Sequence, residues 1–482
     1  MLDLLARVWE GRMKYLLSAG VLSLVLAWPA VAQTTSPEQH EQVTFTKDIV
    51  PILQRSCQKC HRPNSLAPMS LIDYEEVRPW ARAMQYRTGL RDKPGVMPPW
   101  YIEKDIGIQK FKNDPSLSDE EVSKIAAWAA SGAPRGDLAD MPPPLAFIDV
   151  DEWEIGQPDL IVSSPSVEVK GEAPDWWGPH GEALTGLTED RYVAAVEYKE
   201  VLESRTGPAR DTVGALFVIH HAVMSVLDPN ADEADQERAR AGGGGWPVHE
   251  VGRNADFFEP EAGRLLPADA TLVFPNGHLH ANGADTTARL DVGFKFHPRG
   301  YEPALEEQSV NFASVDIDLE AMDSDQQMEI FFVVPENLKM TIYEPHMHAP
   351  GVRMCLEAIW GRTREMLNCA GYDHSWVRVY TYADDAAPLL PKGTILRLVG
   401  YFNNSPSNPN VPDPRNWSGS GQRSVDQMFI NLARGIYLSD EQFQVELAER
   451  RERLGIKAGD TVVGCPLCGL NDDLPAETSG TE

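Results

Sequence analysis

The chain has 482 residues, of which 43 are basic and 72 acidic, and its formal net charge is −29. This length exceeds what one hydrophobic core normally organises, and it predicts two to four domains. The strong negative charge argues against nucleic acid and anionic membrane surfaces as partners, because both would repel the protein.

The N-terminus has the three parts of a secretory signal. Basic residues among the first 14 positions precede an apolar run over 15–28, and a small-residue cleavage site, Ala30-Val31-Ala32, follows. The run is too short to cross a bilayer. We therefore predict a signal peptide over 1–32. No later run is long and apolar enough for a membrane span, so we expect a periplasmic mature protein, in a compartment where disulfides form.

The sequence Cys57-Gln58-Lys59-Cys60-His61 has C-x-x-C-H spacing. This spacing is typical of covalent c-type haem attachment, in which both thiols bond to the haem vinyl groups and His61 binds the iron. A zinc half-site, a thioredoxin-type redox pair and a chance match are the alternatives. Zinc is disfavoured because no second metal-binding pair follows in this part of the chain.

Predicted helices flank this motif. We expect Thr46 to cap a helix that leads into it, and the capping box at 118–121 to open a second helix that Gly132 ends. With the motif, these helices resemble class I cytochrome c and predict a small all-α unit over 43–138. The Pro- and Asp-rich segment 139–149 is interpreted as a linker.

The resemblance to cytochrome c implies a Met as the sixth iron ligand. Met97 stands in Val96-Met97-Pro98-Pro99-Trp100, at a family-like distance from the motif, and the prolines would hold its loop rigid. Met69 is close behind His61 and is expected to pack in the core. We therefore favour Met97.

From residue 150 the pattern changes to short alternating runs bounded by turn residues, for example 192–201, 328–334 and 394–402. Such spacing is typical of antiparallel β-sandwiches. Nearly 300 residues are too many for one sandwich. We predict two jelly-roll-like all-β units, over 150–310 and 311–440, followed by a helix starting near Ser439 and a polar tail within 441–482.

Glu344-Pro345-His346-Met347-His348 follows an alternating run that predicts a strand. Residues i and i+2 of a strand point to the same face, so His346 and His348 can bind one metal ion. Two imidazoles suit Cu, Zn, Fe or Ni about equally, whereas an added thioether would favour Cu(I). Met428 is the candidate thioether. The alternative is a pair of surface or hydrogen-bonded histidines.

Two further histidine groups lie upstream. His220 and His221 are adjacent, and neighbouring strand residues reach one ion only where the strand ends or bulges; otherwise one faces the core and one faces out. His278 and His280 again have the spacing of a strand face. The ungrouped histidines are interpreted as structural: His180, His249, His297 and His374.

In this order, the motifs resemble the copper type II, ascorbate-dependent monooxygenases, the family of peptidylglycine α-hydroxylating and dopamine β-monooxygenases, in the bacterial form with an N-terminal cytochrome c. The resemblance covers residues 45–435. It rests on segments 57–61, 97–100, 156–159, 220–221, 344–348 and 403–406.

The resemblance implies ligands for two copper ions. The electron-transfer copper would be bound by His220, His221 and His278, with His280 outside the ligand set. The oxygen-activating copper would be bound by His346, His348 and Met428. This chain departs from the family in two places: Pro350-Gly351 replaces the usual Arg-Gly, and His374 stands where relatives often carry an aromatic residue.

The implied function is a periplasmic monooxygenase that hydroxylates a C–H bond of an unknown small substrate with O₂. One covalent haem c and two coppers are the implied cofactors. Electrons would pass from a periplasmic donor to the haem, then to the three-His copper and the His₂Met copper. The departures from the family pattern mean that no peptide or catecholamine substrate is inferred. The alternative is a non-catalytic periplasmic electron-transfer or copper-handling protein.

Four cysteines lie outside the haem motif. Cys355 and Cys369 flank a predicted hairpin that turns near Gly361, and counting back along its strands places them opposite each other, so we predict a disulfide. Cys465 and Cys468 are interpreted as a small disulfide loop, with a metal half-site as the alternative.

Overall fold

The computed structural model describes residues 42–63, 65, 67–148, 152–206, 217–250, 253 and 255–470. The predicted signal peptide and the end of the predicted tail lie outside these residues. From Val43 onward the chain forms one compact unit. Among the helices of the described ranges, none combines the length and apolarity that a bilayer span requires.

The described residues 42–141 contain helices joined by turns and loops. A π-helical turn over Phe45–Ile49 leads into the first helix, and short 3₁₀ turns cover Arg78–Trp80 and Leu138–Asp140. The helices of this region are α1 (Val50–Ser56), α2 (Tyr74–Val77), α3 (Ala81–Gly89) and α4 (Asp119–Ala130). We call residues 43–141 the helical region.

The predicted ends of these helices are partly right. Ser118 caps α4 and forms the expected capping box with Glu121, and the left-handed Gly132 follows the helix end. The Thr46 cap is wrong: Thr46 lies buried inside the π-helical turn, and Thr44 precedes that turn in an extended conformation. One extra turn therefore precedes the helix that the apolar spacing predicts.

The first β region spans residues 160–296. Its strands are β1 (Leu160–Ser163), β2 (Val167–Val169), β3 (Trp176–Gly178), β4 (Gly181–Leu184), β5 (Arg191–Arg205), β6 (Ile219–Leu227), β7 (His249–Glu250), β8 (Ala255–Phe257), β9 (Arg264–Leu266), β10 (Thr271–Leu279) and β11 (Thr286–Phe296), with helix α5 (Glu233–Arg240) between β6 and β7. One sheet has the order β1-β11-β5-β8, and the other has the order β3-β10-β6-β7.

The second β region spans residues 307–438. Its strands are β12 (Glu307–Ser309), β13 (Phe312–Ser314), β14 (Asp318–Leu319), β15 (Gln326–Val333), β16 (Asn337–Tyr343), β17 (Pro345–Met347), β18 (Gly351–Trp360), β19 (Thr363–Gly371), β20 (Tyr380–Thr381), β21 (Leu389–Leu390), β22 (Ile395–Phe402), β23 (Ser418–Gly419), β24 (Phe429–Asn431) and β25 (Arg434–Leu438). Helix α6 (Asp440–Leu454) follows, capped by Ser439 as predicted.

The fold is therefore mostly β, and its named strand pairs are antiparallel, as the alternating runs predict. In the first β region, both sheets contribute to one hydrophobic core, with Phe294 from one sheet and Phe274 from the other fully buried in it. Residues that alternate between a core face and a solvent face build such a packed pair of sheets, which is consistent with a β-sandwich.

The helical region is joined closely to the second β region. Trp100, Ile102 and Phe111 lie in the same hydrophobic core as Tyr380 and Tyr382. The Trp100 ring packs edge-on against Tyr380, 4.9 Å between centroids. The structure thus does not show a separate all-α domain, and the predicted domain boundaries remain predictions.

Buried ion pairs connect the two β regions. Arg253 donates to Glu344 Oε1 at 2.9 Å and to Asp256 Oδ1 at 3.0 Å. Arg434 of β25 donates to the same Asp256 oxygen at 2.8 Å. Because removing one partner would leave an uncompensated buried charge, this network strongly resists disruption.

Both predicted disulfides are confirmed. Cys355 and Cys369 pair directly across β18 and β19, with 4.1 Å between their Cα atoms, and the hairpin turns at Gly361. Cys465 and Cys468 close the small loop after α6.

Candidate metal centres

A bulge in β6 assembles the first histidine cluster. His221 pairs with His278 across β6 and β10, but the next residue of β10, Leu279, pairs with Ile219. His220 is therefore the extra residue, and this irregularity allows two consecutive side chains to serve one site. The donor atoms of His220, His221 and His278 lie within 4.8 Å of one another, the one such set found in the described part of the chain.

Neighbouring side chains fix the ring of His278. Trp177 of β3 stacks on it with 4.6 Å between centroids and 9° between planes. Its Nε2 lies 3.2 Å from Asp175 Oδ2 without hydrogen-bond alignment, and its buried Nδ1 has no hydrogen-bond partner. An unpaired buried nitrogen is costly, and a metal ion would satisfy it. Sequence reasoning missed both neighbours, because Trp177 lies in a short strand and Asp175 directly before it, and neither belongs to a metal-binding pattern.

His280 stands apart from this cluster. Its ring centroid is 6.0 Å from that of His220 and 6.3 Å from that of His278, and its donor atoms are not part of the compact set. The structure therefore groups His278, rather than His280, with the adjacent pair.

The second cluster is built on β17 and its partner strand. His346 pairs with Ile430 and Met347 with Phe429. This ladder ends at the Met347–Phe429 pair, and His348 and Met428 each lie one residue beyond that end. The two imidazole centroids are 5.6 Å apart. Met347 points the other way and is fully buried in the hydrophobic core.

The second cluster is also prepared for a metal. His348 Nδ1 lies 3.0 Å from the Asp426 carbonyl, a contact that orients the ring. The Nδ1 of His346 is buried without a hydrogen-bond partner. Two imidazoles together with the Met428 thioether would form a donor set that suits copper.

Burial keeps these imidazoles neutral. It lowers the pKa of His346 to about 3 and that of His348 to about 4, and the neighbouring imidazole of His374 lowers both. Burial likewise holds the pKa of His221 well below its ordinary range, and nearby imidazoles, those of His346 and His348 included, lower it further. Neutral imidazole is the form that binds metals, and the two clusters are close enough to interact electrostatically.

The C-x-x-C-H motif follows α1 directly. Cys57 and Cys60 are free thiols. Burial raises the pKa of Cys57 to about 12 and also raises that of Cys60, whereas redox-active pairs have lowered values. His61 Nδ1 lies 3.3 Å from the Met69 carbonyl, which leaves Nε2 available. The raised thiol pKa values disfavour a thioredoxin-type redox pair.

The two candidate methionine ligands differ in their surroundings. Met69 packs against the core of the helical region. Met97 is 40% exposed and lines a cavity of about 780 Å³ whose wall residues all lie within 88–122 of the helical region. Trp100, Leu117 and Val122 also line this cavity, but the cysteine motif is not among its described wall residues.

Residues 372–378, which we call the bridging segment, contact the chain around Met97 and also lie beside the second histidine cluster. Asp373 Oδ2 accepts hydrogen bonds from the Gly95 amide at 3.1 Å and the Tyr101 hydroxyl at 3.2 Å. The Arg378 guanidinium lies 5.5 Å from the Trp100 ring centroid. The His374 ring centroid is 6.0 Å from that of His348. Sequence reasoning interpreted His374 as structural, because a single histidine in a loop has no spacing pattern.

The chain matches no protein-family model and no curated protein. Among solved structures it is similar to the major capsid protein P2 of bacteriophage PM2, at 12% identity and a TM-score of 0.27, over 58% of this chain and 98% of that one. It is also similar to infectious bursal disease virus VP2 in a subviral particle, at 10% identity and a TM-score of 0.16, over 59% of this chain and 72% of that one. Similarity this low carries no argument about function.

Proposed function

We propose that this protein is a periplasmic haem- and copper-dependent monooxygenase that hydroxylates a C–H bond of a small molecule with O₂. The observation that carries the proposal is the gathering of His220, His221 and His278 around one point. A second pair of imidazoles lies within electrostatic range of this cluster. Two redox centres suit a reaction that consumes two electrons.

The chain's side chains divide between two copper sites. His220, His221 and His278 would hold one ion, and a second set, His346, His348 and Met428, would hold the other. Bound copper supplies one-electron redox chemistry, and a thioether favours Cu(I), the state suited to O₂. The protein contributes neutral imidazoles and fixed ring orientations, set at His348 by the Asp426 carbonyl.

The helical region would supply electrons. Cys57 and Cys60 would attach one haem covalently, while His61 and Met97 would bind its iron. The overall reaction, RH + O₂ + 2e⁻ + 2H⁺ → ROH + H₂O, requires two external electrons from a periplasmic donor. A one-electron carrier in the same chain has a high effective concentration beside the copper sites.

The proposal includes the architecture of the copper type II, ascorbate-dependent monooxygenases. It comprises a cytochrome c unit over 43–138, a linker over 139–149 and jelly-roll-like copper sandwiches over 150–310 and 311–440. The ion pair between Arg253 and Glu344 links the two β regions and supports a fixed orientation between them. It lies close to the second cluster, since Glu344 stands two residues before His346.

A stopped-flow experiment tests the proposal. Pre-reduced, haem-loaded protein is mixed with O₂, and haem reoxidation is followed by absorbance. Reoxidation should be fast with copper bound, and slow in the copper-free protein and in His221→Ala. His297→Ala is the matched control, since this ring stacks on Tyr301 outside both clusters. Equal rates in all four proteins would overturn the proposed coupling of haem and copper.

A further inference from the structure

The bridging segment brings a third imidazole to the second copper site. The geometry points to His374 as an additional ligand of the ion held by His346 and His348, an assignment that rests on the proposed function. The His348 and His374 ring centroids are 6.0 Å apart. Within the compact first cluster the corresponding separations are 4.9, 5.7 and 5.9 Å, and His280, outside that cluster, is 6.0 Å from His220. The contact with His348 therefore places His374 beside the second cluster, without making a set as compact as the first.

The hydrogen bonding of His374 also points to a ligand. Its Nδ1 is buried and has no hydrogen-bond partner. The Nδ1 of His346 is in the same situation. Buried polar atoms are normally paired, and each unpaired one costs about 1–3 kcal/mol. One metal ion between these rings would satisfy unpaired nitrogens that the protein itself leaves without partners.

The residues on either side hold His374 in place. Tyr372 donates its hydroxyl proton to the Met347 carbonyl, within the strand that carries the histidine pair. Asp373 accepts from Gly95 and Tyr101 of the helical region, and its other carboxylate oxygen accepts from the Ser375 amide at 3.0 Å. Anchoring on both sides gives the preorganisation that a metal ligand requires. Docking of the helical region thereby sets the position of a ligand in the copper site.

His374 also lies close enough to the first cluster for its imidazole to lower the pKa of His220. It could therefore serve the first site instead of the second. Its ring contact is with His348, and this favours the second site. A parent protein that cannot bind copper at the first cluster distinguishes a ligand of the second site from a ligand of the first.

The test uses full-length, haem-loaded protein carrying His221→Ala, so that the copper of the second cluster is measured alone. Into this parent we introduce His374→Gln, His374→Ala or, as the matched control, His297→Gln. Cu(I) affinity is measured by chelator competition, and Cu(II) EPR reports the number of bound nitrogens. Haem absorbance and thermal melting verify folding.

We expect both His374 variants to bind Cu(I) about 10–100-fold more weakly and to lose one nitrogen from the superhyperfine pattern. Added imidazole should restore affinity in His374→Ala, and His297→Gln should match the parent. Unchanged affinity and EPR in a parent that binds copper would overturn the ligand assignment alone. A parent that binds no copper would overturn the proposed function with it. Weakening seen only when the first cluster is intact would assign His374 to that cluster, which overturns the inference.

Discussion

The two histidine clusters are built in different ways. A strand bulge gathers His220, His221 and His278 until their donor atoms lie within 4.8 Å. The pair His346 and His348 instead follows regular strand alternation, and other donors must come from a neighbouring strand and from a loop. The first cluster is a complete three-donor set, whereas the second depends on groups from elsewhere. Under the proposed function, the first would therefore serve as a fixed electron relay, and the second would bind O₂.

Loss of a donor should affect the compact cluster most. His221→Ala removes one of three imidazoles, and we expect the loss of one copper per chain while the second copper remains. His280→Ala is the control, because its donor atoms lie outside the compact set. Analysis after reconstitution measures the copper content of both variants. Loss of copper in His280→Ala, together with retention in His221→Ala, would reverse the assignment of ligands.

His346→Ala should remove the other copper and leave the haem spectrum unchanged, because the haem motif belongs to the helical region. The double variant with His221→Ala should then bind no copper. Residual copper in the double variant would show that donors outside the two clusters form a site.

Met428→Leu should weaken Cu(I) binding at the second cluster about tenfold or more, because the soft thioether is lost while volume and apolarity are kept. Met347→Leu is the matched control. Met347 is fully buried in the core, so this change should cost less than about 1.5 kcal/mol and leave copper affinity unaltered. Chelator competition distinguishes them, and equal affinities for Cu(I) would make Met428 a packing residue.

Arg253→Met should lower stability by about 3–5 kcal/mol, because it leaves Glu344 and Asp256 buried without their shared partner. Arg415→Met is the control: its ion pair with Asp413 is on the surface, and we expect no measurable change. Chemical denaturation measures the free energy of unfolding of both variants. A stable Arg253→Met protein with unaltered copper binding would show that this network does not hold the second cluster in place.

Local patterns in the sequence predicted the local features. Alternation predicted the antiparallel strands, and counting residues back from the hairpin turn predicted the Cys355–Cys369 disulfide. The adjacent histidine pair left a strand end, a bulge or opposite-facing side chains open, and the structure shows the bulge. Each of these follows from the two-residue repeat of a strand. Long-range packing could not be predicted in this way, because residues far apart in sequence create it.

The helical region and His374 illustrate that limit. Proline and aromatic residues around Met97 fitted a haem ligand loop, yet Trp100 packs in the core of the second β region. His374 has no spacing pattern, and only the folded chain brings it beside His348. The Thr46 cap failed for a smaller reason, since a π-helical turn added residues before the predicted helix.

Metal analysis of the full chain tests the central claim most directly. Protein produced in a periplasm with haem maturation, and then reconstituted with copper, should contain two coppers and one iron, with the iron in covalently bound haem. Zinc at full occupancy in the histidine clusters after copper reconstitution, or the absence of covalent haem, would contradict the account.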